Sequence, residues 1–268
     1  MKEAAIMVNE YSLFKNRIYE KLGIDLNLYK EAQMKRRLTS LRDKRGFTNF
    51  SDYYNQLDSD PELLSEFVDR ITINVSEFYR NPKRWEVLQQ TIFPKLLRDK
   101  RSITIWSAAC STGEEPYSLA LMLTEHFPEI HTRILATDID EKVLQAAKQG
   151  IYQERALKDL PASLKHKYFT TRDGLYHLNE DIKQMITFKK HNLLSDPYPN
   201  EVDLIVCRNV LIYFTDQAKE SIYHKFSRAL TNRGILFVGS TEQIFSPNQY
   251  GLSVVDTFFY EKKSTNNR

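Results

Sequence analysis

With 268 residues, 41% of them hydrophobic and 27% charged, the chain is long enough to bury a core without disulfide or metal staples. No apolar run is long enough to cross a bilayer, and a formal net charge of +3 is too weak to imply nucleic-acid binding. The two cysteines, Cys110 and Cys207, sit in or beside apolar strand-like runs and read as buried thiols, and Met1 to Glu10 shows no signal-peptide pattern, so a cytoplasmic chain without a metal site is expected.

The first part, to about Arg80, reads as helices. Met34, Leu38 and Leu41 fall at i, i+4 and i+7 and form one apolar stripe. Lys35, Arg36 and Arg42 are expected to point away from it, and Gly46 is a plausible stop. Basic residues dominate from Lys30 to Arg45 (Lys30, Lys35, Arg36, Arg37, Arg42, Lys44 and Arg45 against Glu31 and Asp43), whereas Phe47 to Asp69 carries acids only. From charge alone this basic face is either a docking surface for an acidic partner or a solvated face. Phe50, Tyr53, Tyr54 and Leu57 give a second helical stripe. Pro61 sits where a third helix begins, continued by Leu63, Leu64, Phe67 and Val68.

After Lys100 short apolar runs alternate with helix-period segments, the pattern of a parallel sheet with crossover helices. Strands are expected at Ile103–Trp106, Arg133–Thr137, Ile186–Phe188, Val202–Val206 and Ile235–Val238. Helices are expected from about Pro116 to Phe127 and around Val143, Leu144 and Ala147. The run from Ser253 to Tyr260 reads as a closing hairpin, and Ser264 to Arg268 as a polar tail. Asp173-Gly174 between Tyr168–Thr171 and Leu175–Leu178 signals another hairpin, so a small antiparallel piece is expected between about Gly150 and Gln184. The elements together describe a doubly wound α/β fold.

In such sheets ligands bind beyond the carboxyl ends of the strands, so the residues that follow each strand matter most. After the first come Ser107 to Tyr117, whose small side chains permit close backbone approach; alone, they suit either a nucleotide loop or a tight turn. After the second comes Asp138, which could accept hydrogen bonds from a ribose; alternatively, Asp138 or Asp140 could cap the next helix. After the fourth come Cys207-Arg208-Asn209-Val210-Leu211-Ile212-Tyr213-Phe214. The glycine pattern of pyrophosphate binders is absent, which favours a cofactor without pyrophosphate, such as S-adenosylmethionine.

Three runs now support a family resemblance. Asn74-Val75-Ser76-Glu77-Phe78-Tyr79-Arg80, Trp106 to Ser118, and Cys207 to Phe214 resemble, in the right order, signatures of the CheR-type methyltransferases of bacterial chemotaxis. The resemblance implies an S-adenosylmethionine-dependent glutamate O-methyltransferase that yields S-adenosylhomocysteine. It implies a Rossmann-like class I sheet with a helical N-terminal domain and linker (1–80), a catalytic domain (81–268) and a small inserted β-subdomain at about 150–184. It further implies that Asn74, Ser76, Arg80, Glu115, Asp138, Asn192, Leu193, Arg208 and Asn209 contact the cofactor, with Arg80 and Tyr213 nearest the transferred methyl group. Lys35, Arg36, Arg37 and Arg42 would dock the acidic helical region of a chemotaxis receptor. No nucleic acid and no membrane insertion are expected, and the chain is expected to be a monomer.

Asp196-Pro197-Tyr198-Pro199 looks like a signature of enzymes that methylate DNA bases, but it precedes the fourth strand and its letters are reordered, so it reads as a loop. A glutamate acceptor is already ionised at neutral pH and needs no general base. His131, His166, His177 and His191 accordingly read as surface or packing residues. A methyltransferase for a small molecule and a sensor that holds S-adenosylmethionine without turnover are the competing readings.

Overall fold

A computed structural model describes residues 2–264, with side chains from Glu10 onward. Met1 and the tail beyond Ser264 lie outside the described residues. Contacts divide the chain into two compact units. One is Met1–Ile73 with Tyr213–Glu220, the other Asn74–Ile212 with Ser221–Arg268.

The first unit is helical: α1 (Lys2–Leu22), α2 (Glu31–Lys44), α3 (Phe50–Ser59) and α4 (Pro61–Thr72). Its helix starts are written in the sequence. Asn49 accepts from the Asp52 N–H at 2.8 Å to cap α3, and Asp60 accepts from Glu62 and Leu63 ahead of Pro61 to cap α4. Phe14, Leu38, Tyr53, Leu57 and Phe67 are buried, and the Phe14 ring packs 4.8 Å from Phe50 and edge-on to Phe67 at 5.9 Å. The stripe Met34, Leu38 and Leu41 faces inward as its spacing requires.

The cations of α2 behave differently from the sequence expectation. Arg42 does not point away: its side chain is only 11% exposed, stacks on the Phe50 ring at 4.7 Å and pairs with Asp43 at 2.6 Å. Lys35 is half-buried with its ammonium 5.2 Å from the Tyr11 ring. Long cationic stems cover apolar surface readily, which the period of one helix cannot reveal. The same unit takes in residues 213–215. Lys30 N–H donates to the Tyr213 carbonyl at 2.9 Å, Thr215 N–H to Leu28 at 2.8 Å, and Phe214 packs edge-on to Tyr29.

The second unit opens with α5 (Pro82–Val87), a wider turn over Leu88–Ile92 and α6 (Phe93–Leu96). There follow β1 (Ser102–Ala108), α7 (Glu114–His126), β2 (His131–Asp138), α8 (Glu141–Gln149), β3 (Ile151–Tyr152), α9 (Ala162–Tyr168), β4 (Phe169–Arg172), β5 (Leu175–Leu178), α10 (Glu180–Lys183), β6 (Ile186–Lys190), β7 (Val202–Cys207), α11 (Asp216–Ala229, shared between the units), β8 (Leu230–Val238), β9 (Leu252–Asp256) and β10 (Phe259–Lys262). The seven-stranded sheet has the order β6-β2-β1-β7-β8-β10-β9, parallel from β6 through β8, with β10 antiparallel. Every residue of β7 is buried, as expected of a central strand covered on both faces.

The order reverses between β1 and β7, and the register brings Ala108 beside Thr137, Asp138 beside Lys190, and Cys207 beside Val238. The strand ends that the sequence singled out therefore share one edge of the sheet, around the switch point. The inserted piece is a three-stranded sheet, β3-β5-β4. Its first strand, β3 at Ile151–Tyr152, is too short to show any period in the sequence. Both cysteines are free and buried.

Candidate functional site

The loop after β1 is bent tightly, with Ala109 and Ser111 at φ +62° and +50° and Cys110 N–H bonded to the Thr137 carbonyl at 2.9 Å. Ser111 N–H donates to one Asp138 oxygen at 2.9 Å and Asp140 N–H to the other at 3.0 Å. Cap duty on α8 falls to Asp140, which accepts from Lys142 N–H at 2.9 Å and from the Asn74 amide at 3.0 Å. Asp138 thus orders the loop, and since a carboxylate offers roughly four lone-pair directions, it retains capacity for a ligand hydroxyl. Burial raises its pKa above the usual carboxylate value. Beside it the Ser111 hydroxyl is buried without a hydrogen-bond partner. Gly113, at φ +93°, ends the loop. A Cβ there would sit 2.9 Å from the Ala147 Cβ, so this glycine serves helix packing.

Glu115, on the first turn of α7, is half-buried, its side chain 13% exposed. Its carboxylate accepts from Ser107 Oγ at 2.8 Å and lies 3.8 Å from the Arg208 guanidinium. Burial pushes its pKa up to about 7, against the pull of Arg208, Ser107 and Arg80. Arg208 is itself only 3% exposed in its side chain. It donates to the Arg80 carbonyl at 2.8 Å and to Asn81 Oδ1 at 2.9 Å, lies over the Phe237 ring, and leaves its Nε buried and unpartnered.

The linker 74–81 is strained, with Tyr79 and Asn81 at φ +52° and +63°. It is pinned by Tyr79 N–H to Ser118 at 3.1 Å, Phe78 N–H to Ala156 at 2.9 Å, and a hydrogen bond from Ser76 to the buried Glu114 carboxylate. Positive φ at non-glycine residues on three site segments, 79–81, 109–111 and Asn209, is the kind of strain that surrounding contacts must maintain.

After β6, Asn192 N–H donates to Asp196 at 2.8 Å, and Asn192 Oδ1 accepts from Leu194 N–H at 3.0 Å. Tyr198 gives its hydroxyl to the Leu193 carbonyl at 2.8 Å and packs edge-on to Trp106 at 4.9 Å. The Asp196 to Pro199 run is a loop, as expected, and its acid and tyrosine hold the turn that carries Asn192 and Leu193.

A family model described as "CheR methyltransferase, SAM binding domain" matches residues 74–258, and one described as "CheR methyltransferase, all-alpha domain" matches residues 9–72. The chain is 44% identical over 254 residues to the "Chemotaxis protein methyltransferase" of Listeria monocytogenes, covering 94% of this chain and 97% of that one. It is 38% identical to the protein of the same name from Borreliella burgdorferi, covering 85% of each, and 34% identical to "Chemotaxis protein methyltransferase 2" of Vibrio cholerae, covering 91% of this chain and 88% of that one.

The chain belongs to the CheR methyltransferase family. It is an S-adenosylmethionine-dependent methyltransferase with a Rossmann-like sheet, and among the described residues no helix is long and apolar enough to cross a membrane. The site residues fit the methyl donor. A buried, unpartnered hydroxyl stands beside an aspartate with spare acceptor capacity, and the half-buried Glu115 at the helix start suits a cationic ligand.

The second unit brings Asn74, Ser76, Arg80, Glu115, Asp138, Asn192, Leu193, Arg208 and Asn209 into one compact body, whereas Tyr213 groups with the helical unit. The sequence reading missed Glu242. This buried residue accepts from the N–H groups of Asn209 (2.7 Å), Leu211 (2.7 Å), Ile212 (3.3 Å) and Gly239 (2.8 Å), fixing the loop after β7 to that after β8. Gly239 is obligatory there, because a Cβ would fall 2.4 Å from the Glu242 carboxylate. An acid just after an apolar strand was the available signal; its partners are backbone groups, which no side-chain pattern announces.

Proposed function

We propose that this protein methylates glutamate side chains of chemotaxis receptors, giving glutamate methyl esters and S-adenosylhomocysteine. The observation that carries the reading is the match to both CheR family domains across nearly the whole chain, together with relatives named chemotaxis protein methyltransferases. The chemistry of the site supports a carboxylate acceptor. The histidine at the strand ends, His191, has its N–H on the Asp138 carbonyl and its ring on the Pro197 carbonyl, and an acceptor already ionised at neutral pH needs no base.

The donor supplies an electrophilic methyl group on a sulfonium. In the proposed roles Asp138 and Ser111 hold the ribose, Glu115 faces the cationic amino-acid end, Asn192 and Leu193 flank the adenine, and Asn74, Ser76, Arg208 and Asn209 close the site. Arg80 steers the acceptor carboxylate, and Tyr213 directs its hydroxyl to the methyl. The carboxylate oxygen forms the new C–O bond as the S–CH3 bond breaks, so opposite charges cancel in the transition state. Excluding water therefore favours transfer, and alignment of the reactants can supply roughly 7–11 kcal/mol. The acidic helical region of a receptor would meet the basic groove of the helical unit, formed by α2 and α4.

Incubation with S-adenosylmethionine and a receptor cytoplasmic fragment, followed by peptide mapping, tests this. Methyl groups should appear on glutamate residues and be released by mild base. Label on lysine or on small molecules alone would overturn the proposal.

A further inference from the structure

The cations of α2 are not equivalent. Arg36 and Lys44 are exposed and, with Arg70 of α4, rim an open groove of about 480 Å3. Arg37 also reaches this groove, but its guanidinium is committed elsewhere. It stands over the Tyr213 ring, 5.5 Å from the centroid. Its Nη1 donates to the carbonyls of Arg70 at 3.3 Å and Ile71 at 3.4 Å. Those carbonyls belong to the last turn of α4, where a helix has acceptors to spare. Tyr213 is therefore gripped twice. Its carbonyl accepts from Lys30 N–H at the start of α2, and its ring lies under a side chain two turns further along, about 10 Å up the helix.

From this we infer that Arg37 is a positioning residue for Tyr213, and that receptor docking on this face falls to Arg36, Lys44 and Arg70. The inference rests on the proposed role of Tyr213 in methyl transfer. The planar guanidinium both stacks on the ring and reaches two carbonyls, a combination lysine cannot reproduce. It restricts the tyrosine ring to the face of α2, and small misplacement of a group at a reacting centre is costly in rate.

The test compares Arg37→Gln, Arg37→Lys, Tyr213→Phe and the Arg37→Gln/Tyr213→Phe double variant of the full chain. The readouts are kcat and receptor KM, with S-adenosylhomocysteine affinity as the check that the chain is folded. Arg37→Gln should lower kcat about tenfold or more while receptor KM stays within about twofold. Arg37→Lys should recover part of the loss. The double variant should be no slower than Tyr213→Phe, because both changes disable one device. A rise in receptor KM with kcat retained in Arg37→Gln, while Tyr213→Phe is slow, would overturn the positioning role and return Arg37 to docking. Losses that multiply in the double variant would do the same. Full turnover by Tyr213→Phe would overturn the role of Tyr213 itself, and the inference with it.

Discussion

The polar groups around the ends of β1, β2, β7 and β8 are buried or half-buried and tied to backbone or to one another, whereas the cations of α2 lie at a surface and divide between packing and open solvent. Asp138, Glu115, Arg208 and Glu242 each hold several partners at hydrogen-bond or ion-pair distance. On α2, Arg42 covers Phe50 and Arg37 covers Tyr213, while Arg36 and Lys44 face outward. In the first region one deletion strands several groups where no water replaces the lost bond. In the second, exposed charges act weakly and collectively and are screened by salt.

The largest effect should follow from Glu242. Glu242→Ala orphans the N–H groups of Asn209, Leu211, Ile212 and Gly239, and each such group costs about 1–3 kcal/mol when left unpaired. Urea titration should show a loss of at least about 3 kcal/mol, and S-adenosylhomocysteine affinity should fall with it. A variant as stable as the parent would erase the contrast between the two regions.

An intermediate effect concerns pH. Burial pushes the Glu115 carboxyl from its ordinary 4.5 up to about 7. The folded state then holds a proton that the unfolded state has released, so this contribution to stability is complete below about 4.5 and is lost as pH rises through about 7. Burial raises Glu114, Asp138 and Glu242 in the same direction. A cationic donor beside Glu115 favours the ionised form, so binding near neutrality should release a proton and weaken as pH drops below about 7. Calorimetry in buffers of different ionisation enthalpy reads this directly. In Glu115→Gln the proton release should vanish, and its persistence would show that another group titrates.

The smallest effect belongs to the open surface. Arg36→Glu or Lys44→Glu should leave folding stability within about 0.5 kcal/mol and raise receptor KM several-fold at low salt, with the difference shrinking as salt is added. A salt-independent change would mean that these side chains do more than attract an acidic partner.

The doubly wound sheet was legible because strand runs alternate with helical periods after Lys100, and the ends of those strands pointed to Ser107–Tyr117, Asp138 and Arg208–Tyr213. The hairpin at Asp173-Gly174 was legible from its turn, but β3 was not, because two residues carry no pattern. For α2 the period fixed which side chains are inside but not which cations lie on a neighbour; Arg42 meets Phe50 of α3, and Arg37 meets a tyrosine distant in sequence. Glu242 escaped notice because its partners are main-chain N–H groups brought together only by the β7–β8 pairing.

The most direct measurement is a crystal structure of this protein with S-adenosylhomocysteine. The ribose hydroxyls should lie at Asp138 and Ser111, the amino-acid end should face Glu115, and the adenine should lie beside Leu193. Density for the nucleoside away from the carboxyl ends of β1 and β2 would contradict it.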